Sequence, residues 1–260
     1  MSALLNSQNL AALRASFKVA RGAFGALDGY ICGSQDAHQS EYVCDRDLRR
    51  SFISNFTGSA GTALILNDAA LLWTDGRYFL QAENELSSDW QLMRSGDPGV
   101  LELQPWLCKH FANKEGGASI GVDPALMSAN QFKNLHQALK EKGVELVDVE
   151  NNLIDNIWKN QGQPDLPVNK AIALSDKITG QTHLNKISLI QIYLNDNNIN
   201  CMCFSMLDEI AWLFNIRGSD VKCNPVIISY AIVTNNDAHL FVDINKITDA
   251  DGLYKGNVLS

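Results

Sequence analysis

The residues whose types could do chemistry are few and far apart. In LLWTDGRYFLQA, residues 71–82, an apolar run ends at Thr74, Asp75-Gly76 signals a turn, and Arg77 opens a helical pattern. The spacing predicts that Asp75 caps this helix and that Arg77 stands in its first turn. A cation there opposes the helix dipole, yet it joins unpaired backbone N–H groups in a spot of positive potential. Such a spot suits a carboxylate or a peptide carbonyl. The competing reading is an ion pair with Glu41, Asp75 or an acid of the second domain.

Asp36-Ala-His38, in the polar loop SQDAHQSEY, reads as an acid–base pair or as ordinary neighbours in a loop. Gly58-Ser-Ala-Gly61 has phosphate-loop composition, but small residues equally let a helix end close against a strand. Asp208-Glu209 stands at a helix start, where carboxylates complement the dipole. Cys201-x-Cys203 places two thiols on one face of a strand and reads as core packing before it reads as a metal clip. A hydrolytic metal site needs several converging His, Asp or Glu ligands. His38, His110, His136, His183 and His239 fall in five different predicted elements. No Gly-x-Ser-x-Gly, P-loop or Gly-x-Gly-x-x-Gly motif is present.

The elements that must hold these residues alternate. Leu10, Leu13 and Phe17 recur at helical spacing over residues 8–21. A short strand at 30–32 follows, then a helix bearing Leu48 and Phe52 that Asp45 or Asp47 could cap. TALILN and ALLWT form a hairpin around Asn67-Asp68. RYFLQAENEL is a helix with Phe79, Ala82 and Leu86 inward, and GVLELQPWLCKHF is another that Pro105 would bend. WQLMRS, SIGVD and VELVDV are strands. Ser128 and Gln131 make a capping box for QFKNLHQALKEK, which Gly143 stops. This alternation predicts an α/β fold.

NQGQPDLPVNK reads as a linker between domains at 1–162 and 163–260. Beyond it come a helix carrying Leu184, Ile187, Ile190 and Leu194, the strand CMCFSM, the helix LDEIAWLFN, and the strands PVIISYAIVT and AHLFVD. Strand, short helix ending in Phe52 or Phe214, glycine turn and hairpin thus occur twice, as in a duplicated domain. The second copy stops some eighteen residues after its hairpin, so the second domain is expected to be incomplete.

Composition narrows the classes. With 260 residues, 46% hydrophobic and 19% charged, the chain can bury one large core or two ordinary ones. Its net charge of −8 argues against nucleic acid as a partner. No run of eighteen apolar residues predicts a membrane span. The N-terminal segment lacks a secretion-signal layout, so the six cysteines read as reduced thiols of a cytoplasmic protein and the Asn55-Phe56-Thr57 sequon carries little weight.

Taken together, QDAHQSEYV, Arg49-Arg50-Ser-Phe52, FTGSAGTA and LLWTDGRYFLQA resemble the N-terminal domain of cytosolic Xaa-Pro aminopeptidases (aminopeptidase P). DEIAWLFNIRGSDVKCNPVIISYAIV resembles the second domain of the same family. The likeness runs in order from about residue 10 to about residue 245. It implies two related creatinase/prolidase N-terminal-like domains, each a mixed sheet flanked by helices. It also implies a third, "pita-bread" catalytic domain whose motifs do not occur here. There two manganese ions, held by two Asp, one His and two Glu, would activate water against the bond before proline. By the same resemblance Arg77 maps onto an arginine that reaches peptide substrate, and Asp36 and His38 would shape the same rim. Substrates with proline second and a homodimeric full-length form are implied too. Asn55 departs from the family's usual Gly; if that position needs a positive φ, Asn is the next-best residue.

The chain is therefore expected to be a non-catalytic N-terminal part, inactive alone. The alternative is a stand-alone interaction module that binds peptide or the full-length enzyme. An unrelated cysteine enzyme would need one thiol paired with a histidine.

Overall fold

Residues 62–66 and 70–74 are buried at nearly every position, which demands cover on both faces of their sheet. The computed structural model describes residues 3–247 and 258–259. They divide into a first unit, Met1–Gln39 with Arg46–Pro164, and a second, Ser40–Asp45 with Asp165–Ser260.

The first unit runs α1 (Ala3–Ser16), β1 (Arg21–Gly22), β2 (Gly25–Ala26), β3 (Gly29–Cys32), α2 (Arg49–Ser54), β4 (Thr62–Leu66) and β5 (Ala70–Thr74). It continues through α3 (Phe79–Glu85), β6 (Gln91–Arg94), α4 (Leu103–His110), β7 (Ala118–Val122), α5 (Ala129–Lys140), β8 (Val144–Asp148) and α6 (Leu153–Trp158). Its sheet has the order β6-β5-β4-β3-β7-β8. The β3–β4 and β4–β5 pairs are antiparallel, and β5–β6, β3–β7 and β7–β8 are parallel. Alternation then separates two cores. Tyr30, Cys32, Ala63, Ile65 and Leu72 pack with Leu10, Leu13 and Phe17 of α1, Phe52 and Ile53 of α2, and Leu153 and Ile154 of α6. Ile31, Leu64, Leu71, Trp73 and Ile120 pack on the other face with Leu107 of α4 and Leu135 and Leu139 of α5.

Several boundaries differ from those expected. Helix α1 covers 3–16 instead of 8–21, because Ser16 Oγ turns back onto the Leu13 carbonyl and a turn follows. Neither Asp45 nor Asp47 caps α2; Leu48 holds the N-cap position without a side-chain bond, and Asp47 pairs with Arg49. Pro105 falls in the first turn of α4, where its missing N–H is not needed. The Ser128–Gln131 capping box forms. Asn55 ends α2 in the left-handed region at φ +64°, the conformation its place predicts.

The second unit contains β9 (Ile172–Ala173), α7 (Asp176–Thr179), α8 (His183–Asp196), β10 (Cys201–Phe204), α9 (Leu207–Leu213), β11 (Ile216–Arg217), β12 (Ser229–Thr234), β13 (Ala238–Val242) and β14 (Val258–Leu259). A four-stranded sheet, β10-β12-β13-β14, is antiparallel except for the parallel β13–β14 pair. Ile187, Leu194, Ile210, Leu213, Phe214, Val233 and Leu240 form its core. Both units are thus mixed sheets flanked by helices. Cys201 and Cys203 are exposed, which corrects their reading as core residues. Along β10 only Met202 and Phe204 turn toward helices, so the thiols take the outer face. No described helix is long and apolar enough to cross a membrane.

Candidate functional site

Strand direction gathers the singled-out loops. Because β4 is antiparallel to both β3 and β5, strands β3, β5, β6, β7 and β8 run the same way. Their carboxyl ends share one edge of the first unit's sheet. The loop bearing Asp36 and His38 leaves β3 at that edge, and Asp75-Gly76-Arg77 leaves β5 there. The turn 57–61 enters β4 from the same side.

That turn clamps both loops. Ser34 Oγ donates to the Gly61 carbonyl at 2.9 Å and accepts the Gly61 N–H at 3.1 Å. Thr74 Oγ1 donates to the Ala60 carbonyl at 2.6 Å. Ser59 Oγ lies 2.5 Å from the Tyr78 hydroxyl. A Cβ on Gly58 would fall 2.3 Å from Phe56 Cζ, so glycine is required for this close approach.

Arg50, quoted above only as half of a basic pair, lies beneath the turn. It is 5% exposed, stacks 4.7 Å from the Phe56 ring centroid, and donates Nη2 to the Gly58 carbonyl. Its Nε and Nη1 have no hydrogen-bond partner. Burial pulls its pKa down to about 10. Arg49 is the opposite case, joined bidentately to Asp155 at 2.8 and 2.9 Å and also to Asp47. Sequence reasoning missed Arg50 because a helical arginine ordinarily reads as solvent-facing; its place beside the apolar Phe52-Ile53 was the available signal.

Arg77 precedes its helix. Helix α3 starts at Phe79, and Asp75 Oδ1 accepts the Arg77 N–H at 3.1 Å in a turn of its own instead of capping α3. The conflict with the helix dipole therefore does not arise. The guanidinium meets Asp75 bidentately, Nε to Oδ1 at 2.8 Å and Nη2 to Oδ2 at 2.9 Å. The Arg77 side chain is 68% exposed and that of Asp75 42%. Arg77 also lies over the Tyr78 ring, 5.0 Å from its centroid. Its hydrogen bonds hold the Asp75 carboxyl down at about 2, and the carboxylate in turn raises the guanidinium.

Asp36 and His38 are buried. Asp36 Oδ1 accepts the His38 N–H at 3.0 Å, and Gln39 Nε2 donates to the Asp36 carbonyl at 3.1 Å, so the pair shapes its own loop. Burial pushes the Cys32 thiol up to about 12, far from a reactive thiolate. Among the described residues no group of three or more His, Cys, Asp or Glu is placed to hold a metal ion. The described residues therefore do not offer the ligand set of a dinuclear metal cage.

Residues 27–157 match a creatinase/prolidase N-terminal domain model, and residues 162–257 match a second model of the same description. The Xaa-Pro aminopeptidase ApepP of Drosophila melanogaster is 46% identical over 221 residues, which cover 85% of this chain and 35% of that protein. A probable Xaa-Pro aminopeptidase P of Pyricularia oryzae is 41% identical over 255 residues, 98% of this chain and 40% of that one. The crystal structure of an X-prolyl aminopeptidase from Caenorhabditis elegans, described as a cytosolic enzyme with a di-nuclear active site, is 35% identical with a TM-score of 0.90. It is matched over 99% of this chain and 42% of its own. The chain spans 35–40% of the length of these two curated relatives. With both halves matched, this chain belongs to the creatinase/prolidase N-terminal domain family.

Proposed function

We propose that this chain is the non-catalytic N-terminal part of a cytoplasmic, manganese-dependent Xaa-Pro aminopeptidase, with domains at 1–162 and 163–260. In this reading the first domain supplies a contact to peptides with proline second, and a dimerisation surface in the full-length form. In the same reading the two manganese ions belong to the catalytic domain of the parent enzyme.

The observation that carries the reading is the exposed, pre-set guanidinium of Arg77. Asp75 takes its Nε–Nη2 edge. The opposite edge, through Nη1, is left to donate to a peptide carbonyl or carboxylate. Because Asp75 and Tyr78 already hold the side chain, little rotamer freedom remains to be lost on binding. Asp36 and His38 contribute by stiffening the neighbouring loop.

Incubating the chain with Ala-Pro-Pro and manganese is expected to release no alanine; robust turnover contradicts the reading. In a full-length relative, changing the matching arginine to Ala is expected to lower kcat/KM about tenfold or more, chiefly through KM. The second reading, a stand-alone module that binds peptide or the full-length enzyme, draws support from the exposed Cys201, Cys203 and Tyr230 on one face of the second sheet. A shift in size or rate on mixing with the full-length enzyme would favour it.

A further inference from the structure

Strands β3 and β7 are adjacent and parallel, yet the chain leaves them toward opposite faces. After β3 it forms α2, whose Phe52 and Ile53 join one core, and after β7 it forms α5, whose Leu135 and Leu139 join the other. Such a divergence opens a crevice beyond the carboxyl ends of the two strands, the place where open α/β sheets hold ligands. A crevice of about 370 Å³ lies there, with Cys32 and Gly33 on one side and Val122 and Asp123 on the other. This volume falls in the range of small-ligand sites.

Its lining specifies the ligand's chemistry. The floor is apolar, from Ile31, Val122, Leu126 and Leu135, and the rim carries the side-chain amides of Gln35, Gln104 and Asn134. Among the described residues no Lys, Arg or His lines it. The lining carboxylate is already engaged: Asp123 Oδ1 accepts the Ala125 N–H at 2.9 Å, and Oδ2 accepts Asn152 Nδ2 at 2.9 Å. An anion finds no counter-charge there. A cation finds only an acid whose two oxygens are occupied. Side-chain amides both donate and accept, as peptide groups do.

We infer that this crevice is a binding site for an uncharged peptide segment, with an apolar side chain on the floor and its backbone against the rim amides. The inference deepens the reading of Arg77 as a peptide contact, since the crevice opens on the same edge of the sheet. It rests on that reading only for the identity of the peptide. The site itself depends on the crevice alone.

The test uses the whole chain with 13C-labelled Ile, Leu and Val methyls, titrated with N-acetyl-Gly-Leu-Gly-amide. This probe has no free amino group, no proline and no charge; its carbonyls can still meet Arg77, and the Arg77→Ala variant separates that contact from the crevice. Saturable shifts are expected at Ile31, Val122, Leu126 and Leu135, with Kd on the order of 0.1–1 mM for a ligand of this size. N-acetyl-Gly-Asp-Gly-amide is expected to bind at least about tenfold more weakly. Gln104→Trp and Asn134→Trp, at exposed rim positions, are expected to block the site, whereas Arg77→Ala leaves it unchanged. The inference is overturned by the absence of saturable shifts up to about 5 mM, by equal binding of the two probes, or by shifts that survive both Trp variants. Loss of binding in Arg77→Ala would also overturn it, by assigning the probe to the Arg77 loop.

Discussion

The two units carry one plan to different ends. In each, a strand leads to a short helix, then to a left-handed Asn, at φ +64° for Asn55 and +53° for Asn215, and then to Gly-Ser. Gly58 and Gly218 are both packed so closely that a Cβ would overlap a side chain, at 2.3 Å from Phe56 and 2.0 Å from Ile227. An antiparallel hairpin follows in both. Beyond this the surroundings part. Strand β3 lies between β4 and β7, buried at every residue, whereas β10 is an edge strand among the described residues and alternates exposed with half-buried. The first turn runs directly into its hairpin and clamps two loops; the second is followed by an excursion anchored on a buried Lys246–Asp220 pair. The same sequence plan therefore yields a rigid, loop-presenting edge in one place and an open sheet face in the other.

Thiol chemistry gives the largest expected contrast. Cys201, Cys203 and Cys223 of the second unit are expected to react with a neutral disulfide reagent in the native state at least about a thousandfold faster than Cys32 of the first, which awaits unfolding. Mass-resolved labelling at pH 8 reads this directly, and comparable rates at Cys32 and Cys201 would erase the distinction between the units. Next in size, Asp220→Ala leaves Lys246 buried without its partner and is expected to destabilise the second unit by about 3–5 kcal/mol. Urea unfolding checks it, and Asp220 Oδ2 also accepts the Ile228 N–H at 2.7 Å, so the excursion should loosen as well.

Smaller again is the contrast between sheet faces. Leu64→Ala, in a strand covered on both sides, is expected to cost about 2–5 kcal/mol. Ile232→Ala, on the outward face of β12, is expected to cost under about 1 kcal/mol. Equal losses would mean that the second face is covered. The smallest effect is an expected constancy. A depressed carboxylate pKa contributes its stabilisation above the unfolded value and loses it as pH falls through the folded one. Asp75, held at about 2, should keep its Arg77 pair intact from about pH 4 upward. A carbon-13 titration of the Asp75 carboxyl with a midpoint near about 4 would show that the pair does not form.

Much of this was legible in the chain. Period-2 and period-3.6 patterns located the strands and helices, Ser128 and Gln131 announced their capping box, and Asn55 announced its left-handed turn. What escaped was decided by competition between local bonds and by tertiary cover. Asp75 can cap a helix or close its own turn, and only the fold shows that it takes Arg77 and closes the turn. Cys201 and Cys203 look apolar to a pattern, but exposure depends on what covers the strand. Arg50 is invisible as a buried cation until the Phe56 ring and the Gly58 carbonyl are seen around it. The crevice joins residues from five separate stretches between 31 and 152, so no local window contains it.

Peptide affinity before and after removal of one side chain bears most directly on the assignment of Arg77. Titrating Ala-Pro-Pro into the chain and into its Arg77→Ala variant, the account predicts binding weakened about tenfold or more, with Arg77→Lys in between. Indistinguishable affinities in all three proteins would contradict it.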